Sequence, residues 1–192
     1  MITEKKLELY SSIFFMQKLL KNKAVQFILM AGGLYVVWLL LYYFVIKGYT
    51  DWDYQLNYNI VSLTQSFLNW FNVPTYIDIE SDHVVLFMDG MNFRGIWVGD
   101  ECNGFKLFSI FSIFIIAFPG DYKKKLWFIP LGLLIVHIAN ILRVAALVMI
   151  GNHYPEFLDF NHLYTFTIFV YAIIFLLWYW FAKKYSKSEQ ES

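Results

Sequence analysis

One cysteine, few charges and no linker set the first limits on this 192-residue chain. A single thiol, Cys102, excludes an intramolecular disulfide and a multi-cysteine metal centre, leaving a buried packing thiol or a reactive one. Charged residues are 16% of the chain against 59% hydrophobic and 21% aromatic, which excludes an ordinary soluble domain and implies an integral membrane protein. No repeat and no Pro/Gly/Ser-rich stretch divides the sequence, so one membrane domain is expected. No cleavable secretory signal is expected either, because the basic lead is long and the first apolar run is of spanning length. No nucleic-acid partner, metal or cofactor is expected.

The charges that are present are segregated, and their segregation sets a topology. Residues 1–23 carry Lys5, Lys6, Lys18, Lys21 and Lys23 among apolar residues, a basic amphipathic lead suited to the inner membrane face. Residues 24–46 are uncharged and long enough, at about 1.5 Å per residue, to cross a hydrocarbon core of about 30 Å. Residues 47–102 are strongly acidic, with only Lys47 and Arg94 opposing, so they belong outside. Within them, Ile60, Leu63, Phe67, Leu68 and Phe71 predict an outer interfacial amphipathic helix over 59–72. Residues 84–88, the turn Asp89-Gly90 and residues 92–98 predict a short extracytoplasmic β-hairpin leading to Cys102.

Further spans are expected at 103–119, 126–150 and 163–182, with Lys123–Lys125 and the tail from Lys183 inside. The predicted fold is an all-α integral membrane protein: a bundle of about four transmembrane helices, the outer helix and the hairpin. Residues 1–23 form the lead, 24–182 the membrane domain and 183–192 a basic tail. Both termini are then cytoplasmic and the protein sits in the cell membrane.

Cys102 is placed at the start of the second span, where the unpaired N–H groups and partial positive charge of a first helical turn favour a thiolate. Lys106 adds to that field, while Asp100 and Glu101 oppose it, so a further cation is needed. Arg143, seven residues below the outer end of the third span, is about 10 Å down and can reach up to Cys102. An arginine there costs about 2.5–3.5 kcal/mol to insert, which asks for a reason. Asn140, one turn below, is placed to hold the guanidinium. His162 stands at the outer entrance of the last span, and is preferred over His153, which lies in a freer loop. His137 is deeper and reads as packing. Asn103 is a helper, as an oxyanion donor or a helix-start residue.

A thiolate attacks carbonyl carbon, a histidine carries a proton to a leaving amine, and an arginine stabilises the thiolate or an oxyanion. Together they suggest cleavage or exchange of an amide bond at the outer face.

Glu101-Cys102-Asn103-Gly104, Asn140-Ile141-Leu142-Arg143-Val144 and Phe160-Asn161-His162 resemble the three motifs of the exosortase/archaeosortase family of membrane-embedded cysteine transpeptidases. The resemblance covers residues 87–182. It implies Cys102, Arg143 and His162 as catalytic residues, with Asn103, Gly104 and Asn140 supporting them. It implies that Cys102 cuts an exported protein next to its C-terminal membrane anchor, forming a thioester that a second nucleophile resolves, such as a lipid-linked or glycan-linked amine. Substrates of the family carry a C-terminal signal of short motif, hydrophobic span and basic cluster. Two other readings stand beside it. One is a noncatalytic membrane component assisting export or assembly of a surface polymer; the weaker one is a redox or cofactor-binding protein using His137 with His153 or His162.

Overall fold

The computed structural model describes residues 17, 20–80, 83–90, 95–100 and 102–186. Most of the basic lead, Arg94, Glu101 and the tail beyond 186 lie outside the described residues.

The first uncharged run forms helix α1 (Lys23–Leu41), started by Asn22, whose side chain accepts the Ala24 N–H at 2.9 Å. A π-helical turn, Tyr42–Ile46, and a last turn, Lys47–Tyr49, carry it further. No residue of Lys23–Leu41 is buried, as suits a helix apolar on all sides in lipid. It leans on the rest through rings, Phe27 edge-on to Phe114 at 5.1 Å and Tyr42 tilted over Phe105 at 5.8 Å.

Helix α2 (Trp52–Trp70) begins seven residues before the predicted start at 59, with Asp53 in its first turn complementing the dipole. Its buried face includes Asn57 and Thr64 beside Ile60, Val61 and Leu68, and a polar residue, Asn57, is the buried position in the stretch ahead of 59, which hides the periodicity there. That face is covered by protein, where the sequence suggested a helix resting on the leaflet.

A three-stranded antiparallel sheet follows, β1 (Thr75–Glu80), β2 (His83–Met88) and β3 (Ile96–Trp97), in the order β1-β2-β3. Ile77 pairs Leu86, and Val85 pairs Trp97. The hairpin predicted over 84–98 is thus one pairing of a larger sheet, and its second strand is only two residues long. β1 was not predicted, because Asp78 and Glu80 count toward the acidic loop although they alternate with Ile77 and Ile79.

The remaining helices are α3 (Phe105–Ala117), α4 (Tyr122–His153) and α5 (Phe166–Ser186). Three stretches are long and apolar enough to cross a membrane: Lys23–Tyr49, Tyr122–His153 and Pro155–Lys184. At 13 residues, α3 is about 20 Å long, short of a hydrocarbon core. Its limits are backbone limits: Gly104 with φ of 81° before it, and Phe118 extended ahead of Pro119 after it.

Helix α4 belongs to two cores. Toward His153, its Val144, Leu147 and Val148 pack with Ile60, Val61, Val84, Leu86 and Val98. Toward Tyr122, its Phe128 and Val136 pack with Phe111, Ile115, Ile174 and Phe181. Asn140 and Arg143 occupy the seam, buried at 0% and 7% exposure. In the second core Gly132 faces Phe111, and a Cβ there would run into the ring. Such close backbone approach through a small residue is how helices pack in lipid. Gly132→Ala is therefore expected to cost about 1–3 kcal/mol, read as a lowered thermal midpoint in detergent.

Candidate active site

The site is built on the turn between β3 and α3. The Cys102 N–H donates to the Gly99 carbonyl at 2.8 Å, and the Asn103 Oδ1 accepts the Phe105 N–H at 2.9 Å. Gly104 then takes a left-handed conformation that L side chains rarely adopt, with Asn140 and Phe108 at contact distance, 3.4 Å, from where a Cβ would stand. Cys102 thus lies in the turn, three residues ahead of Phe105, where the sequence suggested the first turn of a helix. The helix N-terminus acts on it from farther away, and side chains supply the closer field.

Three elements hold that turn. Asn140 of α4 donates its Nδ2–H to the Cys102 carbonyl at 2.6 Å. This replaces the predicted contact with the guanidinium: spacing along one helix shows i,i+3 neighbours, and the actual partner is a loop carbonyl 38 positions earlier. Asn103, fully buried, donates Nδ2–H to Asp53 Oδ1 at 2.8 Å, and the Tyr42 hydroxyl donates to Asp53 Oδ2 at 2.9 Å. Both ends of the Asn103 side chain are thereby engaged in the turn, Oδ1 at the start of α3 and Nδ2 on Asp53. Tyr42 and Asp53 are not singled out by the sequence, the one lying in the first uncharged run, the other in the acidic segment. The signal that places Tyr42 inward is the π-helical turn it begins, a device that appears often at functional sites.

Around the Cys102 sulfur stand two nitrogens from two further elements. The His162 Nε2 lies 3.0 Å away, and the Arg143 Nη2 donates from 3.5 Å. His162 projects from a second π-helical turn, Asn161–Thr165, whose carbonyl at His162 accepts the Thr167 hydroxyl at 3.2 Å. His153 is turned elsewhere, with Nδ1 on the Met149 carbonyl at 2.9 Å, and the His137 ring packs 6.0 Å from that of Phe108. Among the described residues Arg143 has no ion pair with Asp159 or Glu156, so its charge acts on the sulfur and on a cavity.

Two cavities open onto this sulfur. One, of about 260 Å³, is lined by Val98, Val144, Leu147, Leu158 and Asp159, with Arg143 in its wall. The other, of about 470 Å³, is lined by Lys47, Asn57, His83, Gly99 and Asp100. Cys102, His162 and Trp97 border both. A thiol in reach of an imidazole and a guanidinium, and open to a cleft, has the constellation of an activated nucleophile.

The model of the transmembrane exosortase family matches residues 19–180, most of the chain and all of this constellation. The chain belongs to the exosortase family. No curated protein and no solved structure matches it significantly. As an exosortase it is an integral membrane protein, in accord with its three spanning-length helices. Membership in a family that is generally one of cysteine transpeptidases gives the lone thiol of this exosortase a chemical context that composition alone does not.

Proposed function

We propose that this exosortase is a membrane-embedded cysteine transpeptidase in which Cys102 is the nucleophile, His162 the proton carrier and Arg143 the electrostatic stabiliser. The observation that carries the reading is the convergence on one sulfur of an imidazole at 3.0 Å and a guanidinium at 3.5 Å from separate elements. His162 takes the thiol proton, the thiolate attacks the scissile carbonyl, and Arg143 faces the negative charge first on sulfur and then on the carbonyl oxygen. The imidazolium returns its proton to the departing amine, leaving a thioester on Cys102.

The substrate class is an exported protein with a C-terminal signal of short motif, hydrophobic span and basic cluster, and the acceptor is a surface amine, lipid-linked or glycan-linked. The acidic segment 47–102 and the lysines at Lys123–Lys125, Lys183 and Lys184 support a site on the extracytoplasmic face of the cell membrane with both termini cytoplasmic. In this arrangement α3 is a fourth, short crossing, shielded by α1, α4 and α5 and ending beneath the turn that carries Cys102.

The test is co-expression with exported reporters ending in such signals. The reporter is expected to lose its C-terminal span, hydroxylamine to release reporter from an adduct on Cys102, and an impermeant thiol reagent to label Cys102 from outside. Reporters that keep their span, or labelling that requires opening the cytoplasmic face, would overturn the proposal.

A further inference from the structure

The two cavities that meet at Cys102 differ in chemistry, and the difference fits the two halves of a transfer reaction. The smaller is walled by Val98, Val144, Leu147 and Leu158, with Asp159 also in its lining, and has the Arg143 guanidinium beside the sulfur, which suits the acyl portion and its oxyanion. The larger is lined by more side chains that can hydrogen-bond, with Lys47, Asn57, His83 and Asp100 in its wall. Its Asp100 accepts Asn57 Nδ2–H at 3.4 Å and faces Lys47 Nζ at 3.8 Å, with the two ion-pair side chains 39% and 54% exposed. That is a long, solvent-loosened pair, from which another nitrogen can take over Asp100. Asn57, in the same wall, is only 8% exposed, and its Oδ1 has no hydrogen-bond partner among the described residues. A buried amide oxygen without a donor, next to a carboxylate whose cation is displaceable, asks for a ligand bearing several N–H groups.

We propose that the cavity lined by Lys47, Asn57 and Asp100 is the subsite for a primary-amine acceptor. The inference rests on the thioester chemistry proposed above and deepens it. Aminolysis is the reverse of acylation by an amide, so the incoming amine must approach from the side on which the first amine departs, within reach of His162. The larger cavity meets that requirement, because His162 and Cys102 border it as well. The neutral amine donates N–H to Asp100, and its nitrogen attacks the acyl carbon. The carbon–sulfur bond breaks with the electron pair going to sulfur. The proton lost by nitrogen passes to His162 Nε2 and then to the thiolate, restoring the thiol. Acyl group, amine and proton are all accounted for, with no further reactant.

The experiment separates acceptor binding from acylation. The full-length protein in detergent is acetylated with p-nitrophenyl acetate, freed of reagent, and given either soluble glucosamine or vesicles bearing aminoethanol phospholipid headgroups. Loss of acetyl from Cys102 is followed by intact mass. The rate is expected to saturate with one of these amines; the vesicles assign a lipid acceptor, glucosamine a glycan. Asp100→Asn is expected to raise the half-saturating amine concentration about tenfold, the worth of one charge-assisted hydrogen bond. Lys47→Met, which frees Asp100 from its competitor, is expected to lower it, an effect that a damaged fold does not produce. A rate linear in both amines, or Asp100→Asn and Lys47→Met both matching the parent, overturns the acceptor subsite and leaves the nucleophile standing. Failure of Cys102 to take the acetyl group takes the thioester reading down with it.

Discussion

Cys102→Ala is expected to abolish removal of a reporter's C-terminal span, a loss of about 10⁴-fold or more, and His162→Ala to approach the same floor. The reason is that sulfur and imidazole lie 3.0 Å apart and in the proposed mechanism act as one unit: the thiol is a weak nucleophile until its proton moves, and His162 Nε2 is the atom proposed to take it. Residues acting as a unit are not additive. The double variant is therefore expected to fall no further than Cys102→Ala alone, whereas two independent contributions would multiply. The measurement is initial rate of span removal in membranes matched for the amount of each variant. Thiol labelling gives a second readout. In His162→Ala the alkylation rate of Cys102 is expected to fall at neutral pH, because less of the sulfur is thiolate, and to recover as pH is raised toward the ordinary thiol range. Unchanged alkylation in His162→Ala would remove the histidine from the role of base.

The expected effect is large because so little around the sulfur is adjustable. Asn140 holds the Cys102 carbonyl, Gly104 turns the chain through a left-handed conformation, and Asp53 ties Asn103 to Tyr42. This shell explains the uneven legibility of the site. Arg143 and His162 are visible in the sequence because a charge inside an apolar run and a histidine at a span entrance are costly or unusual there. The role of Asn140 is not, because helical spacing reports neighbours on its own helix and the partner is a loop backbone. Asp53 is invisible in a different way. In the sequence it is one acidic residue among several that set topology, and only the inward turn of Tyr42 at its π-helical step singles it out.

The fold shows the same division. The apolar runs of α1, α4 and α5 are legible because their length and composition need no partner to be recognised. The short α3 is ended by backbone geometry at Gly104 and Phe118, which hydropathy does not weigh. The early start of α2 and the presence of β1 depend on tertiary cover. Asn57 and Thr64 face inward only because the sheet and α4 are there to receive them, and the alternation in β1 is too mixed with acids to read alone.

Arg143 gives the second large effect and the sharper test, because its two possible roles predict opposite signs for stability. The side chain is 7% exposed within a helix of spanning length, and its Nη2 donates to the Cys102 sulfur at 3.5 Å. If the guanidinium is there for the fold, Arg143→Met loses stability and activity together. If it is there for the reaction, Arg143→Met removes an insertion cost of about 2.5–3.5 kcal/mol while a long apolar side chain fills much of the space, so the thermal midpoint holds or rises. Turnover is then expected to fall by about 10²–10³-fold, the usual consequence of losing one donor aimed at developing charge. The second outcome is expected, since a buried cation beside a reactive sulfur stores stability in function, and deleting it trades one for the other. Alkylation of Cys102 divides the remaining alternatives. A fall in parallel with turnover assigns the guanidinium to the thiolate; alkylation that holds while turnover falls assigns it to the carbonyl oxygen of the tetrahedral state. Arg143→Lys sharpens the division: it keeps a point charge near sulfur but loses the planar fork, so it rescues the first role better than the second.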